Sequence, residues 1–96
     1  MRSPIAVPVC ERLDELPVGA RAVVRAVRGD AGTLGPDHLR RLGELGFLPG
    51  EPVQLLRCGP GGREPLAVQI GDTLFALRRA EARAIEVERT AEQATA

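Results

Sequence analysis

The single histidine of this 96-residue chain, His38, stands next to Asp37, while its two cysteines, Cys10 and Cys58, lie far from each other. A neutral imidazole beside a carboxylate is the chemistry of a divalent transition-metal ligand, although a metal site normally needs three or four convergent donors. Adjacent residues on a helix diverge, so Asp37 and His38 share an ion only loosely, as a weak site that a carboxylate from a second chain would complete. The competing reading makes His38 a partly buried residue that caps an apolar stripe. Cys10 and Cys58 form neither a CxxC pair nor a dense disulfide framework and read as reduced thiols. Cys58, beside Arg57, fits either a favoured thiolate or a buried small hydrophobe. One serine, Ser3, with no lysine and no tyrosine leaves little for nucleophilic or Schiff-base catalysis, and no residue is assigned a catalytic role.

The element that must position His38 is a short helix. Pro36 takes an early helical position, where its missing N–H does no harm, and the pattern continues from about Asp37 to Leu45. Leu39, Leu42 and Leu45 share one stripe at a 3.6-residue period, and Asp37, Arg40, Arg41 and Glu44 fall on the opposite, wet face. Gly46 stands where a left-handed residue ends a helix, and Phe47 then folds back onto the last turn. Pro49 and Gly50 make a type II turn that leaves Leu48 exposed and delivers the chain into "EPVQLLRC" as a strand.

The rest of the chain reads as short strands punctuated by 11 glycines and 8 prolines. "RAVVRAV" precedes the helix; "GPGGRE" closes a hairpin on "PLAVQI"; "GD" turns into "TLFALR"; "RAEARA" makes a single helical or 3₁₀ turn before "IEV". Val53 and Leu55, and then Leu66, Val68 and Ile70, occupy alternate positions and so share inward faces. A mainly β fold is expected: a small, partly open SH3-like barrel of about five strands with one short helix inserted. Its core is aliphatic, because Phe47 and Phe75 are the only aromatics. Residues 1–12 form an extended N-terminal lead, 13–87 the barrel and 88–96 a flexible tail.

Thirteen acidic and thirteen basic residues balance, so no global field draws the chain onto nucleic acid or anionic lipid. Two phenylalanines provide no stacking platform for RNA. Pro4, Pro8 and Glu11 interrupt any signal-peptide core, and no apolar run approaches a membrane span, so a soluble, cytoplasmic chain is expected.

"RRLGELGFLPGEPVQLL", followed one hairpin later by "IGDTLFALRRAEARAIEV", resembles the FeoA family of ferrous iron transport accessory proteins. The shared pattern is a leucine-rich helical turn, L-G-[aliphatic or Phe]-x-P-G-x-x-V, and a closing L-R-x-x-x-A-x-x-I-x-V, spanning about Leu13 to Val87. In this sequence the structural motif falls on Leu42, Leu45, Gly46, Phe47, Pro49 and Gly50. The resemblance implies an SH3-like barrel that works beside FeoB, the membrane GTPase that carries Fe²⁺ inward. It implies a partner at the membrane and no catalytic residue. The balanced charge and scarce aromatics leave nucleic acid out as an expected partner, and no cofactor is expected to be required beyond a weakly bound divalent transition metal at His38 and Asp37. A homodimer is compatible with it. The partner-binding surface expected is Arg40, Arg41 and Glu44 with Leu48. Two other classes share the fold: a metal-responsive barrel of the kind that ends iron-dependent repressors, and a small nucleic-acid-binding barrel. The lead before the barrel is too short for a helix-turn-helix.

Overall fold

The computed structural model describes residues 9–28 and 34–89, with the side chains of 62 and 63 set aside. Most of the expected lead and tail, and the loop at 29–33, lie outside the described residues. Strands β1 (Val9–Arg12), β2 (Arg21–Val27), β3 (Pro52–Gly59), β4 (Arg63–Ile70), β5 (Thr73–Leu77) and β6 (Ile85–Arg89) form one antiparallel sheet. Their order is β1-β6-β2-β3-β4-β5, with helix α1 (Pro36–Glu44) between β2 and β3 and a one-turn helix α2 (Arg79–Arg83) before β6. The sheet curls round its own inner face as a small SH3-like barrel.

Alternation builds the core. Val53 and Leu55 of β3 face Ile70 and Val68 of β4 across the ladder, and all four are buried, as are Leu66, Ile85 and Val87. Register slips by one residue between Val24 and Ala26 in β2 and between Leu55 and Arg57 in β3. Such bulges bend the strand and increase its twist, which is what a small sheet needs to wrap its core. Phe47 is the one aromatic in the fully buried set, so the core is otherwise aliphatic, as composition requires.

The sheet holds one more strand than the sequence suggests, and it reaches beyond 13–87 at both ends. Val9–Arg12 pairs with β6, with Val9 opposite Arg89 and Arg12 opposite Glu86. Val9 and Cys10 side by side, followed by Glu11 and Arg12, carry no alternating apolar signal. They belong to the sheet because Glu11 Oε2 accepts from Arg89 Nε at 2.6 Å and Arg12 Nη1 donates to the carbonyls of Arg28 and Arg83.

The end of α1 follows its local chemistry closely. Phe47 N–H donates to the Leu42 carbonyl at 3.2 Å and Gly46 N–H to the Gly43 carbonyl at 3.0 Å, which together make a Schellman motif. Gly46 has φ 122° and Gly50 φ 93°, and the Glu51 N–H closes the Pro-Gly turn on the Leu48 carbonyl at 3.0 Å. A Cβ on Gly46 would meet only the Ile70 side chain at 3.9 Å, so the barrier to substitution is backbone strain rather than a clash. Gly46→Val is expected to destabilise by about 1–3 kcal/mol, read as a lowered midpoint in thermal or urea unfolding. A midpoint equal to the parent's would mean that residue 46 does not hold a left-handed backbone in solution.

Candidate functional site

Helix α1 turns Leu42 fully inward and leaves Leu39 and Leu45 packed against the core, which fixes the rotation of everything else it carries. Arg40, Arg41 and Glu44 consequently stand exposed together with Asp37. Asp37, His38, Arg40, Arg41 and Glu44 line one shallow depression on this face. Arg40 Nη2 donates to Asp37 Oδ1 at 2.9 Å in a pair open to solvent, the i,i+3 arrangement that contributes a few tenths of a kcal/mol (roughly 0.2–0.5) on a helix. Leu48 is 51% exposed. Its Cδ2 lies 3.9 Å from where a Cβ on Gly43 would stand, so an apolar side chain rests over the last turn. Of the expected surface, Arg40, Arg41 and Glu44 share this depression, while Leu48 is exposed at the exit of the helix over Gly43.

Asp37 and His38 do not converge. Asp37 turns to Arg40, while His38 Nε2 lies 2.8 Å from Glu81 Oε2 in α2, 43 residues away. Glu81 is the partner that sequence reasoning missed. Its other oxygen, Oε1, accepts from the Arg78 N–H at 2.8 Å, the bond that begins α2. A glutamate three residues into a helix is a recognisable capping signal, but nothing local shows that its second oxygen reaches α1. Among the described residues no three His, Cys, Asp or Glu side chains converge as a metal site. His38 and Glu81 offer two donors already bound to each other.

Burial pushes the Glu81 carboxyl up, but the Arg78 backbone N–H and the hydrogen bond and charge of His38, with the charge of Arg78, outweigh it and hold the group below the ordinary carboxylate range. A carboxyl depressed in the folded state adds stability that is complete above the unfolded pKa and is lost as pH falls through the folded value. Glu81→Gln is therefore expected to flatten the fall in melting temperature between about pH 5 and pH 3, where an unfolded glutamate titrates. Parallel acid limbs for parent and variant would remove Glu81 from the coupling of α1 to α2.

The cysteines are free thiols. Cys10 is exposed on β1 with Arg25 Nη1 3.3 Å from its sulfur, and Cys58 is half-buried against the core, paired across the ladder with Leu66. Asp14, in the 3₁₀ turn Leu13–Glu15, is only 3% exposed at its side chain, with Arg79 and Arg83 Nη1 each 3.6 Å from its Oδ2. This pins α2 to the chain entering the barrel and orients Glu81.

The FeoA domain family model matches residues 11–89. A curated relative, the Fe(2+) transport protein A/Fe(2+) transporter FeoB fusion protein of Porphyromonas gingivalis, is 36% identical over 84 residues, which is 88% of this chain and 9% of that protein. The chain thus spans a small fraction of that relative. The crystal structure of Stenotrophomonas maltophilia FeoA complexed with zinc, a procaryotic SH3 domain protein, matches with TM-score 0.69 and 46% identity over 80% of this chain and 88% of that one. FeoA of Chlorobium tepidum matches with TM-score 0.67 and 36% identity over 80% and 68% of the two chains. A manganese-dependent transcriptional repressor, at 22% identity and TM-score 0.67, shares the fold alone. No helix among the described residues is long and apolar enough to cross a membrane.

Proposed function

Because this chain belongs to the FeoA domain family, we propose that it is a non-enzymatic, cytoplasmic accessory protein of bacterial ferrous iron uptake that docks on the cytoplasmic part of a FeoB-type transporter. The observation that carries this reading is the fused relative, in which a homologous segment and a Fe(2+) transporter are one polypeptide. A tether holds such a domain near its target at roughly millimolar effective concentration. Wherever such a domain is not tethered to the transporter, an interface has to take the tether's place. The face of α1 with Arg40, Arg41, Glu44 and the exposed Leu48 is suited to it, since arginine around an apolar anchor is the composition of interface hot spots.

The chain acts at the membrane only through this partner. No cofactor is required. A divalent ion at His38 would draw on Glu81 rather than Asp37 and would still need further ligands from a second molecule, so metal remains secondary to docking. The reading as a detached repressor barrel rests on shared fold alone.

The test is titration of the purified chain into the cytoplasmic part of its cognate transporter, with Fe²⁺ uptake measured in cells that lack the chain. Saturable binding and reduced uptake under low iron are expected. Absence of binding together with unchanged uptake would overturn the proposal and leave the fold as it stands.

A further inference from the structure

Among the described residues the sheet has two edges, and only one is guarded. β1 carries Glu11 and Arg12, both engaged in bonds to other strands and loops. β5 reads Thr73, Leu74, Phe75, Ala76, Leu77, with no charge and no proline, pairs with β4 alone among the described residues, and exposes Leu74 at 65%. Edge strands are normally protected by charge, proline or a bulge, because their free N–H and C=O groups template pairing with another strand.

We propose that β5 is a self-association surface, pairing antiparallel with β5 of a second copy about a twofold axis through Phe75. The sequence is complementary to itself in that register. Phe75 meets Phe75 of the second copy, Leu74 meets Ala76, Thr73 meets Leu77, and Asp72 in the preceding turn meets Arg78 just after the strand, once on each side of the axis. Both charged residues are exposed. The ladder supports the same register. Ile70 and Thr73 face each other across the two-residue turn Gly71–Asp72, and such a turn closes on a hydrogen-bonded pair. The residues that bond inward to β4 are then Thr73, Phe75 and Leu77, which leaves Leu74 and Ala76 to direct their backbone groups outward. Those two are the residues that the twofold register pairs. On the outer face Leu74 and Ala76 lie beside Gln69 and Ala67, so the pairing would also cover the largest exposed leucine of the chain.

One five-residue strand pair with a few side chains falls below the area of a stable dimer, so the association is weak and concentration-dependent. It does not rest on the transporter reading, because it uses none of Arg40, Arg41, Glu44 or Leu48.

Sedimentation equilibrium over a concentration series up to roughly millimolar tests it, with Asp72→Arg and Arg78→Asp made separately. Each variant alone sets like charges opposite each other at both ends of the pair, and its self-association should weaken roughly tenfold. Mixed one to one, the variants oppose two arginines with two aspartates, and dimerisation should return to the parent's level. Unaltered circular-dichroism melts confirm that each variant folds. Parent-like dimerisation of each variant alone, or a mixture no tighter than either component, would overturn the proposal. So would a parent that stays monomeric, whether its edge is open or its β5 amides are protected from exchange by the chain's own terminal segments.

Discussion

Phe47→Ala is expected to destabilise the barrel by about 3–5 kcal/mol, a large share of the roughly 5–14 kcal/mol that holds a domain of this size together. Phe47 is 1% exposed and the largest of the fully buried side chains. It arrives in the core directly from the left-handed Gly46, so it has no freedom to be replaced by a neighbouring side chain. Its ring lies 5.7 Å from that of Phe75 at 47°, a tilted aromatic pair. Removing it leaves a cavity beside Phe75 in a close-packed core that relaxes only partly. In a melt the midpoint should fall by more than about 10 °C, on the scale of 4–8 °C per kcal/mol for small domains. Phe75→Ala, on the half-buried side of the pair, should lower it much less. A double-mutant cycle on the two should give a coupling of about 0.5–1.5 kcal/mol. Equal losses for the two single variants would mean that the ring pair, rather than the buried volume of Phe47, carries the stability.

The residues around Phe47 also mark where the fold is legible in sequence. Leu39, Leu42, Leu45, Gly46 and the Pro49–Gly50 turn are each specified by their own neighbours: a period, a left-handed position, a preset φ. The structure therefore follows them to within a residue, with α1 at Pro36–Glu44. β1 is different. "VCER" becomes a strand only because β6 and Arg89 are beside it, and that information lies 78 residues away in the Glu11–Arg89 bond. The bulges at Arg25 and Leu56 are equally silent, since one extra residue in a strand leaves the apolar alternation readable on either side.

The same contrast divides the candidate site. That Arg40, Arg41 and Glu44 are wet follows from the leucine stripe on the other side of a short helix. That Leu48 lies over Gly43 follows from the tight exit at Gly46. The environment of His38 does not follow from its neighbours. Sequence places it on α1 next to Asp37, but its bond is made by α2, whose position depends on Asp14 and two arginines and on how the barrel brings 13–15 and 79–83 together. Local chemistry specifies which face is exposed, whereas tertiary packing decides what a half-buried polar group meets.

Reversal of both arginines, Arg40→Glu with Arg41→Glu, is expected to weaken binding to the transporter's cytoplasmic part by at least about tenfold, about 1.4 kcal/mol, which exceeds the ~1 kcal/mol that most interface residues stay below when truncated. Both side chains are exposed, so the change leaves the core packing intact. Stability does shift slightly. A carboxylate in place of Arg40 would oppose Asp37, which Arg40 now binds at 2.9 Å, and one in place of Arg41 would set negative charge in the last turn of α1, where Arg41 now complements the helix dipole. Together these amount to about 1 kcal/mol, a few degrees of melting temperature. Arg40→Gln with Arg41→Gln separates the two effects: it removes both charges without introducing repulsion, and it should keep the parent's melt while losing part of the binding. Rising salt should weaken the parent's binding and leave the Gln variant nearly insensitive, because exposed interfacial charges act through a screened field. Undiminished binding by the reversed variant would move the contact off α1. The next surface to test would then be Val18, 60% exposed in the turn before β2, because among the described residues it is the other large apolar side chain left open outside the β5 edge.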